Sequence, residues 1–216
     1  MYGWKTKINE IRKEFGYSEK DDFLSAKKLN SLLEKKFSKK QLQEKIADKT
    51  VFIIGAGPSL SKSLTYIKKC KNVTKIVADG AVEALSKKDI KPDILVTDLD
   101  GDLNSIRKIG RTNIPIIVHA HGNNHDKLEI VKEFANVVGT TQTEEFGKMK
   151  NFGGFTDGDR CVFLAEFFNA DKIVLIGMDF GQEIGKYSKH KVVNRKTKLK
   201  KLKFGKKILE WFATKS

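Results

Sequence analysis

Three carboxylates stand at alternate positions in Thr97-Asp98-Leu99-Asp100-Gly101-Asp102, directly after the apolar run Ile94-Leu95-Val96. Side chains alternate across a strand, so a backbone that stayed extended past Thr97 would point Asp98 and Asp100 the same way from the strand's carboxyl end. Two like charges held that close favour a cation between them. In an open α/β sheet, ligands occupy the crevice beyond the carboxyl ends of the strands, which makes Mg²⁺ with a phosphorylated substrate the natural occupant. An acidic turn also has a plain structural use, because Asp and Gly suit turns. An EF-hand calcium loop fails. Asp98, Asp100 and Asp102 match its first, third and fifth positions, but Leu103 stands where glycine is required and Ile109 where a bidentate Glu is needed.

Other groups able to do chemistry recur in the same context. In Ile53-Ile54-Gly55-Ala56-Gly57-Pro58-Ser59-Leu60 a strand runs into a glycine turn, with Pro58 suited to open a helix and Ser59 beside it as a donor. Backbone N–H groups there could approach a phosphate. The third glycine of the dinucleotide fingerprint is replaced by Leu60 and no P-loop lysine follows, so a Walker-type site is excluded. Asp79 ends the next strand. It could bond a ribose as in dinucleotide enzymes, join Asp98 and Asp100 at a metal, or cap a helix. His119-Ala120-His121-Gly122-Asn123-Asn124-His125 raises zinc, but the Gly-Asn-Asn turn ranks phosphate-contacting histidines ahead of zinc ligands. The loop from Asn151 to Arg160 carries Phe155, Thr156, Asp157, Asp159 and Arg160. Aromatic faces with a carboxylate suit a flat, amino-bearing heterocycle, while Thr156 or Asp157 also reads as a helix cap. Gly177-Met178-Asp179-Phe180-Gly181 adds a further acid.

These residues need a scaffold. From Val51 onward short apolar runs alternate with helical patterns, the signature of a mostly parallel, Rossmann-like α/β sheet flanked by helices. The spacing predicts strands at 51–54, 75–78, 94–97, 114–119, 136–138 and 172–176. Helices are predicted at 59–69, 82–87, 103–109, 126–134, 160–168 and 198–213. Every polar cluster above then falls just after a strand. Residues 2 to about 48 read as amphipathic helices, with Trp4, Ile8, Ile11 and Phe15, then Phe23, Leu29, Leu32, Leu33 and Phe37, then Leu42 and Ile46 at helical spacing. Nothing in this segment asks for chemistry. The expected division is a helical extension over 1–48 and an α/β catalytic domain over 49–216 that ends in a basic helix.

Composition bounds the rest. The chain has 216 residues, 39% of them hydrophobic, which is enough for one core and a small appended element. Cys70 and Cys161 suggest neither a disulfide framework nor a metal ribbon, and no apolar run reaches membrane-spanning length. The expectation is a soluble cytoplasmic protein with no membrane partner. The formal charge is +15, and residues 186–207 hold eleven Lys or Arg and no acid, so the basicity is local.

Taken together and in this order, Gly55-Ala56-Gly57-Pro58-Ser59-Leu60, Ala78-Asp79-Gly80-Ala81, the run from Pro92 to Gly101, His119-Ala120-His121-Gly122, the run from Gly153 to Arg160 and Gly177-Met178-Asp179-Phe180-Gly181 are specific. With them the chain resembles the archaeal-type 6-hydroxymethyl-7,8-dihydropterin diphosphokinase family over about residues 50–205. The Ala-Asp-Gly and Asp-Leu-Asp elements also look like those of thiamine diphosphokinases. The family pattern carries an acid where Asn123 stands, so a metal role for that turn is not carried over.

The resemblance implies transfer of a diphosphoryl group from ATP to the hydroxymethyl oxygen of a dihydropterin, releasing AMP, on a route to tetrahydromethanopterin or folate-like cofactors. It implies small-molecule partners, ATP and the dihydropterin alcohol, and leaves a homodimer open. Mg²⁺ would sit on Asp79, Asp98 and Asp100. Asp98, Asp100 and His121 would form the catalytic group. Gly55, Gly57, Pro58 and Ser59 would contact nucleotide or phosphates, and Lys198 in the basic tail would close over the triphosphate. His119 and Gly122, with Phe155, Thr156, Asp157, Asp159 and Arg160, would bind substrate. Two rival classes use fewer residues. A nucleic-acid module would use the tail but has no role for the acidic sheet edge. An NAD-binding dehydrogenase would use Gly55, Gly57 and Asp79 and leave Asp98, Asp100 and Asp157 without work.

Overall fold

A computed structural model describes residues 3–34, 38–188 and 194–214; Phe37, read above as part of a helical stripe, lies outside the described residues. Among these residues six parallel strands form one sheet: β1 (Thr50–Ile54), β2 (Thr74–Ala78), β3 (Ile94–Thr97), β4 (Ile116–Ala120), β5 (Val137–Thr141) and β6 (Lys172–Ile176). Their spatial order is β5-β4-β3-β2-β1-β6. The chain therefore steps outward from β1 to β5, then returns to lay β6 on the other side of β1. Strand order reverses between β1 and β6, the place where open α/β sheets form their ligand crevice.

Both faces of the sheet are covered, which is why the inner strands read as unbroken apolar runs and not as alternating ones. Phe52 and Ile54 of β1 point into one layer and Val51 and Ile53 into the other. The first layer holds α4 (Leu60–Lys69), α5 (Asp79–Ser86) and α6 (Leu103–Gly110). The second holds α1 (Trp4–Phe15), α3 (Lys39–Ile46), α7 (Asp157–Phe167) and α8 (Arg195–Ala213). Between α1 and α3 runs α2 (Glu19–Leu32), which crosses to the first layer and buries Ala26 and Leu29 there beside Leu33.

Local chemistry shifted several boundaries from those expected. Helix α5 starts at Asp79 with no intervening loop, three residues ahead of the expected start, because Gly80 depresses the helical signal while an acid in the first turn suits the helix dipole. The expected helix over 126–134 is a 3₁₀ helix at Gly122–Glu133. His121 and Asn124 close a capping box at its start, and the Gly, Asn and Asp residues that follow favour tight turns over an α-helix. Pro115 delays β4 to Ile116.

Candidate functional site

The chain does not stay extended past Thr97. Strand β3 stops there, and Leu99 takes a left-handed conformation with φ of 66° that drives its side chain into the core. The alternation that would have aimed Asp98 and Asp100 together is broken at that residue. Carboxylate oxygens of Asp79, Asp98 and Asp157 instead lie within 4.8 Å of one another. Asp157 opens α7 and Asp79 opens α5, so two helix starts and the end of β3 converge on one point. Asp100 lines the same cleft.

Each of these acids is held in place. Asp79 accepts from the Thr97 hydroxyl at 3.0 Å and from the Gly101 N–H at 3.1 Å, and Thr97 in turn accepts from the Leu99 N–H at 2.8 Å. A side chain at Gly101 would press on the Asp79 carboxylate. Asp157 accepts from the Arg160 guanidinium at 3.2 Å. Asp98 meets His121 Nε2 at 3.3 Å. The Asn123 N–H donates to His121 Nδ1 at 3.2 Å, so Nε2 carries the proton that is shared with Asp98. Asn124 ties the turn together: its amide donates to the carbonyls of Asp98 and His119, at 2.8 and 2.7 Å, while its oxygen accepts from the His121 N–H.

Crowding three acids in a buried corner costs free energy. Burial, followed by the charges of Asp98 and Asp100, raises Asp79 to about 7. Asp157 is pushed well above the usual carboxylate range by burial, then by Asp98 and Asp79, with Arg160 opposing. Such a trio is most easily ionised around a hard cation bound through oxygen, so the donor set fits Mg²⁺.

The remaining expected residues separate into cleft and interior. Phe155, Thr156 and Lys198 line the cleft with Gly55, Gly57 and the trio. The Phe155 ring packs on Phe15 at 5.1 Å and beneath the Lys201 ammonium at 5.9 Å. His119 points with Ile117 into the second layer, where its Nδ1 meets the Thr140 hydroxyl at 3.1 Å. Burial and then the Arg160 charge keep it neutral, well below the usual histidine range. Asp159 is fully buried and accepts from the Phe155 N–H at 2.5 Å, the Thr156 N–H at 2.9 Å and the Thr156 hydroxyl at 2.9 Å. Its carboxylate is committed to capping α7, and burial still raises it to about 6.

The glycine turn is likewise occupied by the protein itself. Gly55 N–H donates to the Ile176 carbonyl and Gly57 N–H to the Gly177 carbonyl, at 2.9 and 2.7 Å. The Ser59 N–H and hydroxyl both donate to one oxygen of Asp179, at 3.0 and 2.8 Å. Any side chain at Gly57 would collide with the Asp179 carboxylate. These glycines let β6 and its loop close against β1 at the crevice floor, and Pro58, lacking an N–H, opens the turn into α4.

Thr97, read only as the end of a strand, and the stacked rings of Phe15 and Tyr17, 5.1 and 6.4 Å from Phe155, received no site role from the sequence. Thr97 had a signal, a polar residue ending an apolar strand. Phe15 was visible as part of an apolar stripe, but nothing in its spacing says it meets Phe155.

Fold and site together define a doubly wound α/β protein with three carboxylates converging at the carboxyl edge of its sheet, a group able to hold a metal ion. The chain belongs to the family described as 6-hydroxymethylpterin diphosphokinase MptE-like, whose profile matches residues 24–185. It is 45% identical to the 6-hydroxymethyl-7,8-dihydropterin pyrophosphokinase of Pyrococcus furiosus, covering 96% of this chain and 92% of that protein. The identically named proteins of Methanocaldococcus jannaschii and Methanothermobacter thermautotrophicus are 39% and 37% identical, over 100% and 96% of this chain and 96% and 91% of theirs. Among solved structures, the Maf glycosyltransferase of Magnetospirillum magneticum AMB-1 matches with a TM-score of 0.51 at 16% identity, over 78% of this chain and 30% of that one. That likeness concerns the fold alone.

Proposed function

We propose that this chain transfers the diphosphoryl group of ATP to the hydroxymethyl oxygen of 6-hydroxymethyl-7,8-dihydropterin, giving the pterin diphosphate and AMP. The observation that carries the reading is the convergence of Asp79, Asp98 and Asp157 in a chain related almost end to end to three proteins of that name. In the reaction the pterin hydroxyl oxygen bonds to the β-phosphorus and gives its proton to solvent, while the bond from that phosphorus to the α–β bridging oxygen breaks and its electron pair leaves with AMP. Alignment and charge neutralisation are most of what such a transfer needs.

Asp79, Asp98 and Asp157 would hold Mg²⁺, with Asp100 beside them. The cation supplies charge neutralisation on phosphate oxygens. Thr97 and Gly101 fix the Asp79 carboxylate, and His121 fixes that of Asp98. Arg160 restrains Asp157. Lys198 and Lys201, on the cleft wall formed by α8, offer positive charge to the polyphosphate. Phe155 offers a ring face to the flat pterin, and with Met178 keeps bulk water from that part of the cleft. Asp79 is turned into the acidic trio by Thr97 and Gly101, which removes it from the ribose-binding duty that a dehydrogenase would require.

The test is AMP formation from ATP and Mg²⁺, with the dihydropterin alcohol and thiamine offered in separate reactions to wild type and Asp98→Asn. Pterin-dependent AMP that falls by about two orders of magnitude or more in the variant is expected, the scale on which loss of directed charge stabilisation slows catalysis. AMP formed only with thiamine, or equal rates for the two proteins, would overturn the reading.

A further inference from the structure

The amino-terminal helices, in which sequence spacing shows no chemistry, reach the catalytic turn through one buried acid. Asp22 on α2 is 2% exposed, yet it sits 100 residues from the group it grips. Its Oδ1 accepts from the Gly122 N–H at 3.0 Å, one residue beyond His121. Its Oδ2 accepts from the Gln142 side-chain amide at 2.6 Å and faces Arg12 Nε at 3.5 Å. Arg12, from α1, also donates to the Gln142 carbonyl at 3.3 Å. Two further contacts from the same face of α2 land on the same turn: the Ser25 hydroxyl meets His125 Nδ1 at 3.2 Å, and Lys28 donates to the His125 carbonyl at 3.0 Å. Gly122 permits this approach, because a Cβ there would come within 2.9 Å of the Asp21 Cβ.

A buried ion pair adds little net stability over an apolar substitute, so Arg12–Asp22 is poorly explained as a fold staple. Its geometry has a directional consequence. With the Gly122 N–H on Asp22, and Asn124 bonded to the Asp98 and His119 carbonyls, the 121–124 turn stands with His121 Nε2 3.3 Å from the Asp98 carboxylate. We infer that Asp22 is a positioning residue, holding the turn so that His121 orients the Asp98 carboxylate. This rests on the role given to His121 above.

The experiment measures kcat and both KM values for AMP formation in Asp22→Ala, Asp22→Asn, His121→Ala and the Asp22→Ala/His121→Ala double variant, with thermal melts alongside. Asp22→Ala should lower kcat by about tenfold or more with both KM values nearly unchanged, the scale on which supporting contacts act at a charged site. Asp22→Asn keeps an oxygen for the Gly122 N–H, and because its NH2 then faces the Gln142 amide, which must turn its oxygen inward, it should restore part of that loss. In the His121→Ala background Asp22→Ala should remove less than about another twofold, since residues acting through one another are not additive.

A folded Asp22→Ala with wild-type kcat, or one whose loss is equally large without His121, overturns the inference while leaving the function intact. A His121→Ala enzyme with wild-type kcat overturns the reading beneath it. If Asp22→Ala melts below the assay temperature, Gly122→Ala displaces the turn with the ion pair in place. It should show the same His121-dependent fall in kcat, and a fall independent of His121 would count against the inference.

Discussion

At the scale of single residues, the site is a set of acids whose proton affinities disagree with their surroundings. Asp79, raised to about 7 by burial and by Asp98 and Asp100, titrates near 3.9 in an unfolded chain. Across that interval the folded protein holds a proton the unfolded chain has lost. The contribution of Asp79 to stability is therefore complete below its unfolded value and is lost as pH rises towards 7. Metal-free protein should melt at lower temperature at pH 8 than at pH 5. Asp79→Asn should raise the stability of that form at pH 8 by up to about 4 kcal/mol, roughly three pKa units at about 1.4 kcal/mol each. Added Mg²⁺ should raise the melting temperature more at pH 8, where protons no longer compete, than at pH 5. Melts in chelator and in Mg²⁺ at the two pH values check both signs, and a larger Mg²⁺ effect at pH 5 would refute the account. Asp159 makes the complementary case. Its oxygens are spent on Phe155 and Thr156, so Asp159→Ala should cost about 1–2 kcal/mol of folding stability through the lost cap, with the KM for pterin little changed.

At the scale of elements, what the sequence disclosed follows from how each signal is produced. Inner parallel strands buried on both faces are largely apolar, so β1 to β4 were visible to within two residues at each end. The edge strand β6 showed as a short Ile/Val run although it is part-exposed, and the edge strand β5, which ends in Gly139, Thr140 and Thr141, was cut three residues short. The clusters at Gly55, Asp79, Asp98 and Gly177 follow a strand directly, but His119 lies inside β4 and the cluster at 151–160 begins ten residues past β5, leading into α7. Which acids meet depends on the few degrees of backbone freedom after the strand, and there the spacing misleads: Leu99 turns left-handed, and α7 delivers Asp157 from 57 residues beyond Asp100. The glycine turn after β1 is legible as a place of close approach. What approaches it is the β6 loop, with the Asp179 carboxylate standing at the start of α4. Gly57→Ala should therefore act on the crevice floor, forcing β6 from β1 and destabilising the fold by roughly 1–3 kcal/mol, in line with overpacking elsewhere. A urea titration reads this directly. Wild-type stability in that variant would show that the floor yields. Helix α8 sets Lys198 and Lys201 on the cleft, and on the proposed function Lys198→Ala/Lys201→Ala should raise the KM for ATP and weaken its dependence on salt, with folding stability preserved.

For the whole molecule, the question is whether the first 48 residues are appended to the sheet or part of its core. Helical periodicity identifies an apolar stripe, but it carries no information about which layer the stripe will meet. Helix α1 places Trp4, Ile8 and Ile11 in the layer with α7 and α8, where the Trp4 and Phe163 rings lie 5.3 Å apart. Helix α2 puts Ala26 and Leu29, with Leu33 just beyond it, in the opposite layer, against β4, β5 and the 3₁₀ helix. The segment thus contributes to both layers, and Asp22 links it to the 121–124 turn. Leu29→Ala alone should cost about 3 kcal/mol, as for other fully buried leucines. Removal of residues 1–34 strips both layers at once and should leave a chain without a cooperative thermal transition. Circular-dichroism melts and size-exclusion chromatography of the shortened chain decide the matter. A monomer that melts cooperatively and still forms AMP would make these helices an appendage, and would also detach the Asp22 contact from catalysis. Loss of cooperative folding on deletion, with Asp22→Ala folded but slow in turnover, would show that the same helices complete the core and steady the site.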